Sequence, residues 1–437
     1  MTGGGAMLYM GMGTGKSKVA VDLVINFGFQ RVLILCPKSV INVWPKEFQK
    51  HAGHTRWAVL PLNKGSIAQR MEEAEKFLHL QRVKGKQAII VMNYEAVWRS
   101  PFDSWVVNFA NFDLVICDES HRIKSPGSQV SKYLAKLADR VPYRLCLTGT
   151  PMPHGPLDVY GQYRFLDKGI FGTSFTKFRA RYAQLVPLGE TGAFKVVGYM
   201  NQDELHDKFY SIAYRADRDV LELPEAIHNI REVELEDKSM KIYKNLERDF
   251  YSWIDEGKEV TINNALTKIL RLQQVTSGYL PTDDGQLVQI GSEKAEALAD
   301  LFEDIPSNEP IVIFCCFRQD LDTIVMTAQK SGRTVCELSG RCNQLADWQQ
   351  GKYNVIAVQI QAGGVGVDLT RACYCIYYSV GHSLGDYEQS LARTHRPGQK
   401  KTVLYYHLIA SGTIDEKVYK SLQQKKDVVR AILDREV

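Results

Sequence analysis

The chain has 437 residues, of which 45% are hydrophobic, and it carries a formal net charge of +4. This length suits two or three domains, and the small charge excludes a protein that binds nucleic acid through a uniformly basic surface. No stretch reaches the ~18 apolar residues that a membrane span requires, so we expect no membrane association. The nine cysteines include no C-x-x-C pair, which indicates free thiols in a reducing compartment and no zinc site.

The first predicted element is a glycine-rich loop that leads into a helix. Residues 10–17 read MGMGTGKS. The glycines permit a tight turn that aims backbone N–H groups at phosphate oxygens, and the start of the helix adds the positive end of its dipole. Lys16 can reach the β and γ oxygens of a nucleotide, and the Ser17 hydroxyl can ligate magnesium. The nucleotide-binding residues predicted in this loop are Met12, Gly13, Thr14, Gly15, Lys16 and Ser17.

An acidic pair supports this interpretation. The strict loop pattern G-x-x-x-x-G-K-[ST] requires glycine where this chain has Met10, so a chance glycine-rich turn is the alternative. However, Asp118 and Glu119 follow the apolar run FDLVIC, which is typical of a buried strand, and ligands collect at the carboxyl ends of such strands. We expect Asp118 to hold magnesium with Ser17, and Glu119 to orient the attacking water and accept its proton.

Short apolar runs alternate with helix-like stretches and form two clusters, which predicts an α/β fold with two parallel sheets. Between about residues 155 and 300 strand signals nearly vanish and apolar residues recur at helical spacing. We therefore predict domains at 1–218 and 219–437, with helical insertions over about 155–215 and 238–290. The predicted strands are 31–37, 87–94, 112–118, 143–151, 311–317, 354–361, 374–380 and 402–410.

Further motifs resemble those of superfamily 2 helicases, in the Swi/Snf-like branch. The form x-x-x-G-x-G-K-S of the first loop is the variant found in this superfamily, and DESH (118–121) is similar to its acidic motif. TGTP (148–151) resembles motif III, AGGVGVDLT (362–370) motif V, and QSLARTHRPGQ (389–399) motif VI. The resemblance covers essentially the whole chain and points to a compact motor of the kind found in phages and bacteria.

The resemblance implies two RecA-like lobes with ATP and Mg²⁺ in the cleft between them. Lys16 and Glu119 would act in hydrolysis from the first lobe. Arg393 and Arg396 of the second lobe would stabilise charge on the γ-phosphate when the cleft closes, a contribution worth about 10³–10⁵ in rate elsewhere. Surface arginines on a helix are the alternative for such a pair.

The resemblance also implies residues near the nucleotide and along DNA. Gly366 and Asp368 would lie near the nucleotide, although the branch usually has asparagine in place of Asp368. Thr148 and Thr150 would couple hydrolysis to movement. Contacts to DNA phosphates position a protein without reading sequence. The predicted DNA-binding residues are Lys38, Gly363, Gly364 and Thr370.

Two departures from the family pattern lead to expectations. The chain begins almost at the first loop, without the upstream segment that usually recognises adenine, and we expect weakened discrimination of ATP over GTP. The second departure is the segment YYSVGHSLGDYEQ (377–389), which replaces the usual segment containing Trp-Asn-Pro and leaves the local contacts of the second lobe open.

The predicted function is a DNA-dependent ATPase that translocates along duplex DNA, favoured over single strands, in the cytoplasm of a bacterial or phage-infected cell and associated with the nucleoid. A true strand-separating helicase is an alternative. The chain could also be the motor subunit of a restriction or anti-phage complex, with a nuclease or replication protein as partner. A catalytically idle nucleic-acid-binding scaffold is the alternative from another class, against which the full set of ATP-site residues argues.

Overall fold

The computed structural model describes residues 4–53, 56–188, 193–217, 221–255, 262–282, 286–361 and 367–433. They form two compact units. The first extends to Leu221 and also includes the residues from Asp427 onward, whereas the second begins at Glu222. Leu433 accepts hydrogen bonds from the Tyr210 hydroxyl, over 3.0 Å, and from Arg215 within the first unit. The predicted second domain, 219–437, therefore differs at its end from the second unit.

The first unit is built on a parallel sheet. Among the described residues its strands follow the order β3-β4-β2-β5-β6-β1-β9, and every pair is parallel. The bounds are β1 Gly5–Met10, β2 Arg31–Cys36, β3 Trp57–Leu62, β4 Gln87–Asn93, β5 Leu114–Asp118, β6 Tyr143–Thr148 and β9 Ala213–Ala216, with an antiparallel hairpin of β7 Ala183–Leu188 and β8 Ala193–Tyr199 outside the sheet.

Helices cover both faces of this sheet. The bounds are α1 Lys16–Asn26, α2 Trp44–His51, α3 Ile67–Val83, α4 Tyr94–Val97, α5 Phe102–Trp105, α6 Gln129–Leu137, α7 Val159–Leu166, α8 Lys168–Phe171, α9 Phe175–Tyr182 and α10 Gln202–Tyr210. Along β2, Leu33 and Leu35 face one apolar core, and Val32 and Ile34 face the other. This two-sided burial explains why the strand is a continuous apolar run.

The second unit contains another parallel sheet. Its described strands follow the order β10-β17-β16-β13-β15-β14. Ile311 and Ile313 of β13 lie in a core with the adjacent helices, and Phe314 stacks on Tyr377, with ring centroids 5.0 Å apart. The bounds are β10 Ala226–Val233, β13 Ile311–Cys315, β14 Val335–Leu338, β15 Val355–Gln359, β16 Tyr374–Tyr377 and β17 Val403–Ala410, with a hairpin of β11 Tyr279–Pro281 and β12 Leu287–Gln289.

The helices of the remaining chain are α11 Asp237–Asp255, α12 Ile262–Thr276, α13 Glu293–Asp304, α14 Arg318–Lys330, α15 Leu345–Gln349, α16 Leu384–Thr394 and α17 Ile414–Leu433. In the part of the chain that the structure describes, no helix is both long and apolar enough to cross a membrane. The nine cysteines, all within the described ranges, are free thiols.

The α/β prediction with two parallel sheets is confirmed, and each of the eight predicted strands is present. Strand signals are weak between about 155 and 300, yet the structure has strands as well as the predicted helices in this stretch. In the described part of 155–300 these strands are the β7–β8 hairpin, β9, β10 and the β11–β12 hairpin. These strands are short or half-exposed, and Pro187 lies in β7, as is typical of a ribbon outside a central sheet.

Candidate nucleotide site and family

The glycine-rich loop connects β1 to α1. Gly13 and Gly15 have φ angles of 85° and 94°, in the left-handed region that glycine adopts without strain. The Thr14 hydroxyl donates a hydrogen bond to the Gly11 carbonyl over 2.7 Å. The Lys16 Nζ donates to the carbonyls of Met10 at 2.8 Å and Gly11 at 3.1 Å. These bonds hold a positive charge at the loop, where the N-terminus of α1 also favours an anion.

The acidic pair begins at the carboxyl end of β5. Asp118 is the last residue of this strand and is 7% exposed. The Trp44 indole Nε1 donates to its Oδ2 over 3.3 Å, and the Tyr94 hydroxyl donates to its backbone carbonyl over 2.7 Å. Burial and, to a smaller extent, the charge of Glu119 together raise the pKa of Asp118 to about 7, and Lys16 opposes both effects. The predicted lysine and acidic pair are therefore close enough to act on one another electrostatically.

Glu119 lies in an uncommon backbone conformation. Its φ and ψ are both 53°, and the residue is 3% exposed. A residue other than glycine in this left-handed region carries backbone strain of about 1–3 kcal/mol, and such strain often occurs at functional sites. The Glu119 Oε2 lies 3.4 Å from His121 Nδ1. The turn that follows, Ser120–Ile123, is a single 3₁₀ element.

The same histidine connects the acidic pair to the loop after β6. His121 Nδ1 lies 3.4 Å from the hydroxyl oxygen of Thr148, and this hydroxyl oxygen accepts a hydrogen bond from the Thr150 N–H over 3.1 Å. Thr148 and Thr150 are both buried. The two predicted coupling threonines thus form a chain of contacts that ends at Glu119.

Sequence reasoning gave no individual role to Gly149, which lies between those threonines. A Cβ atom at this position would lie 3.3 Å from the Met10 carbonyl oxygen, 3.5 Å from Met12 Cγ and 3.6 Å from Lys16 Nζ. The loop after β6 therefore approaches the glycine-rich loop closely. Trp44 was missed as well. In neither case does the local sequence indicate the long-range partner.

The arginines of the second unit differ in burial. Arg393, in α16, is 4% exposed, and its Nη2 donates to the Ile360 carbonyl over 3.3 Å. Burial lowers the pKa of Arg393 to about 10, so the side chain stays charged at neutral pH. Arg396 is half-buried and donates to the Val367 carbonyl over 3.4 Å.

Other residues of these motifs stabilise the second unit internally. The Asp368 Oδ1 accepts hydrogen bonds from the Thr370 N–H at 3.0 Å and the Thr370 hydroxyl at 2.7 Å. The Gln399 Nε2 donates to the carbonyls of Thr370, Ala372 and Thr394 over 2.8–3.3 Å. Gly363, Gly364 and Gly366, which complete the predicted set, lie outside the described residues.

Lys38 begins a short 3₁₀ turn after β2. It lines an open cleft of about 330 Å³ together with Arg70 and Arg99 and the acidic Glu95. The Arg70 guanidinium is used by its own unit, because it donates to the carbonyls of Lys64 and Gly65 and to Asn93. The predicted DNA-binding lysine therefore lies in a cleft with a net positive lining.

Two family models and several known proteins are similar to this chain. The SNF2-related domain matches residues 6–278, and the Helicase conserved C-terminal domain matches residues 293–398. The chain is 25% identical over 98% of its length to the chicken (Gallus gallus) DNA repair and recombination protein RAD54B, covering 52% of that protein. It is 27% identical over 99% of its length to the uncharacterized ATP-dependent helicase MG018 of Mycoplasma genitalium, covering 40% of it. The chain thus spans about half the length, or less, of these relatives.

A solved structure of the Sulfolobus solfataricus SWI2/SNF2 ATPase core in complex with dsDNA aligns with all of this chain and 94% of that one, at 21% identity and a TM-score of 0.42. The family matches cover well over half of the chain and include strands of both parallel sheets. The chain therefore belongs to the SNF2-related family of helicase-type, ATP-hydrolysing enzymes.

Proposed function

We propose that the chain is a DNA-dependent ATPase that uses ATP hydrolysis to translocate along duplex DNA. The observation that carries the proposal is the chain of contacts from Glu119 through His121 to Thr148. It lies next to the glycine-rich loop, whose Lys16 charge lowers the pKa of Asp118. Such an arrangement can bind a nucleotide and transmit the state of its γ-phosphate to a neighbouring loop. Membership of the SNF2-related family and the name of the relative RAD54B support DNA as the partner.

For ATP hydrolysis we assign roles to the residues of the loop and the acidic pair. The backbone N–H groups of residues 12–17 bind phosphate oxygens, and Lys16 neutralises the β- and γ-phosphates. Glu119 orients the attacking water and takes its proton. Arg393 and Arg396 supply positive charge to the γ-phosphate during hydrolysis. Phosphoryl transfer requires positioning and charge neutralisation above all, and these side chains supply both.

The donor set at the site fits Mg²⁺. A hydroxyl from Ser17 and a carboxylate from Asp118 are the hard oxygen ligands that this ion prefers. Asp118 and Glu119 are both buried, and the pKa of Asp118 is raised first by this burial and then by repulsion from the neighbouring Glu119 carboxylate. A divalent cation held by Ser17 and Asp118 would relieve this repulsion and neutralise phosphate charge.

For DNA we propose that Lys38 and the cleft that it lines contact backbone phosphates from the first unit. Thr370 and the glycines Gly363 and Gly364 are the proposed contacts from the second unit. Gly366 and Asp368 are proposed to lie near the nucleotide. Phosphate contacts of this kind set position without reading base sequence, as a translocating motor requires. Binding should weaken steeply with salt concentration.

The first test is steady-state ATP hydrolysis by the full chain without nucleic acid and with duplex DNA, single-stranded DNA or RNA. We expect strong stimulation by duplex DNA that is abolished in Glu119→Gln. Stimulation by single strands alone would contradict the preference for duplex. A flat rate in every condition, equal in Glu119→Gln, would overturn the proposal.

Translocation requires a separate assay, because DNA-stimulated hydrolysis does not demonstrate movement. Displacement of a third strand from a triplex measures movement along an intact duplex, and a forked duplex measures strand separation. We expect triplex displacement that depends on ATP and little unwinding of the fork. Robust unwinding would favour the helicase instead.

A further inference from the structure

Helix α7 packs unusually tightly against the turn that follows the catalytic acids. A Cβ atom at Gly161 would lie 2.2 Å from the carbonyl oxygen of Ile123 and 2.6 Å from that of Lys124. Real Cβ atoms do not approach so closely, so only glycine fits at this position of the helix. The close approach brings the next residue of α7, Gln162, against the turn Ser120–Ile123, which we call the DESH turn.

The side-chain amide of Gln162 connects two loops through hydrogen bonds of its oxygen and its nitrogen. Its Oε1 accepts a hydrogen bond from the Ser120 hydroxyl over 2.7 Å. Its Nε2 donates to the carbonyls of Pro151, at 2.7 Å, and Asp158, at 3.0 Å. Gln162 and Ser120 are both 0% exposed. An amide offers one acceptor and two donors. Here the acceptor meets the turn after Glu119, and both donors meet the connection between β6 and α7.

The partners of Gln162 lie directly beside the residues that act on ATP. Ser120 follows Glu119, whose backbone is in the strained left-handed region. Pro151 follows Thr150, which contacts the hydroxyl of Thr148. The histidine contact, described above, already joins these two loops on the side of Glu119. Gln162 joins them a second time from the side of α7.

We propose that Gln162 is a positioning residue for hydrolysis, which fixes Glu119 and the loop of Thr148 relative to one another by bonding to Ser120 and Pro151. This inference rests on the proposed function, in which Glu119 activates water. A strained conformation persists only where its surroundings hold it. A hydrogen bond to the very next residue restrains the direction of the Glu119 side chain, so its loss lets the carboxylate leave the position that turnover requires.

The alternative is a buried glutamine that only stabilises the fold, and Gln87 provides a matched control. Gln87 is 7% exposed at the start of β4 in the same unit, and its Nε2 donates to the carbonyls of Val24 and Phe29 at 3.1 and 3.0 Å. It thus has the same amide, a similar burial and the same number of bonds to carbonyls. None of its partners belongs to the DESH turn or to the loop after β6.

The experiment compares Gln162→Met, Gln87→Met and Ser120→Ala in the full chain. ATP hydrolysis is measured with saturating duplex DNA, binding of a fluorescent ATP analogue by titration, and stability by thermal unfolding. Methionine keeps the length of the side chain without its hydrogen bonds. We expect Gln162→Met to lower kcat by about ten- to hundredfold, the loss typical of a small misplacement in an active site, with KM and analogue affinity within about twofold of wild type. Gln87→Met should match its thermal shift and keep kcat.

Ser120→Ala removes only the bond to the DESH turn and keeps the two carbonyl bonds of Gln162. We expect a smaller loss of kcat, and no further loss when it is combined with Gln162→Met, because both changes break one linkage. If Gln162→Met fails to fold, Ser120→Ala carries the same test. Equal kcat in Gln162→Met and Gln87→Met, or wild-type kcat in Ser120→Ala, overturns the role of Gln162 while DNA-stimulated hydrolysis stands. A wild-type chain that hydrolyses no ATP overturns the proposed function itself, and this role with it.

Discussion

The Trp44 indole donates its N–H to the carboxylate of Asp118 over 3.3 Å, although 74 residues separate them in the chain. Trp44 is 1% exposed, in α2. A hydrogen bond to the charged carboxylate favours the ionised form, which is the form that binds a metal ion. The indole thus supports a predicted metal ligand from an element that contributes no ligand of its own.

Trp44→Phe should raise the Mg²⁺ concentration for half-maximal ATP hydrolysis by about tenfold, since hydrogen bonds to charged groups contribute about 1.5–3 kcal/mol. The measurement is a Mg²⁺ titration of the hydrolysis rate. Trp57→Phe is the control. Trp57 also packs on Phe48, at 5.6 Å between ring centroids, and its Nε1 has no hydrogen-bond partner among the described residues. Equal titrations of the two variants would contradict a role for the indole N–H.

Gly149→Ala should impair nucleotide binding without unfolding the chain. The added methyl group meets the Met10 carbonyl at 3.3 Å, so this carbonyl, which accepts a hydrogen bond from Lys16, must shift by a few tenths of an ångström. The Lys16 ammonium itself lies at an ordinary contact distance of 3.6 Å. We expect ATP affinity to fall by about tenfold, for a cost of roughly 1.4 kcal/mol. Gly127→Ala is matched, because its Cβ would meet no heavy atom within 4 Å. Titration with a fluorescent ATP analogue distinguishes them, and equal affinities would show that the close approach is tolerated.

Lys294→Met should destabilise the second unit strongly. The Lys294 Nζ lies 2.5 Å from Asp415 Oδ2, with the two side chains 1% and 7% exposed. Removing one partner leaves a buried charge, at a cost of about 3–5 kcal/mol. Lys401→Met breaks a pair with Glu309 in which the lysine is 63% exposed, and should cost far less because solvent screens this pair. Hydrogen exchange of the β13 amides reports the opening free energy of this unit, and equal protection in both variants would contradict the difference.

Asp320 should make the second unit less stable as pH rises. Its side chain is 0% exposed, and burial raises its pKa from 3.8 to about 6, against the opposing effects of the Ser379 hydroxyl and Lys294. The folded state therefore binds the proton more tightly than the unfolded state, so this contribution is complete below about pH 4 and is lost as pH rises through 6. The two limits differ by roughly 3 kcal/mol.

Asp320→Asn removes this titration and keeps an oxygen to accept the Ser379 hydrogen bond. We expect the unfolding free energy of wild type to fall relative to that of the variant between pH 4 and pH 7. Urea unfolding at each pH gives the unfolding free energy of both proteins, and the difference between the two curves cancels the titration of other groups. Parallel curves would show that Asp320 titrates at its ordinary value.

Strands that are buried on both faces could be predicted from the sequence, because burial makes them continuously apolar. IVIFC of β13 is one such strand, with five buried residues. The edge strand β10, AIHNIREV, has one buried residue, so its pattern does not distinguish a strand from an exposed loop. Its pairing with β17 depends on a segment 170 or more residues away, which local sequence does not encode.

The same distinction applies to the site. Lys16, Asp118 and Glu119 could be predicted because each belongs to a short motif whose chemistry depends on its own sequence. Trp44 and Gln162 act through partners on other elements, so no local pattern assigns their roles. Gln399 belongs to a recognisable motif, yet its amide bonds to three carbonyls of its own unit. A motif therefore indicates which residues occur together. Only the folded structure distinguishes the residues that act on the nucleotide from those that hold other parts of the fold in place.

At Glu119, the residue that thermal stability favours differs from the residue that hydrolysis requires. Glycine or asparagine at this position would relieve strain of about 1–3 kcal/mol, as much as many engineered stabilising substitutions provide. Either would also remove the carboxylate. A library of this protein sorted by heat resistance alone should therefore enrich variants that melt later and no longer turn over ATP, so sorting must include a hydrolysis step to retain the enzyme.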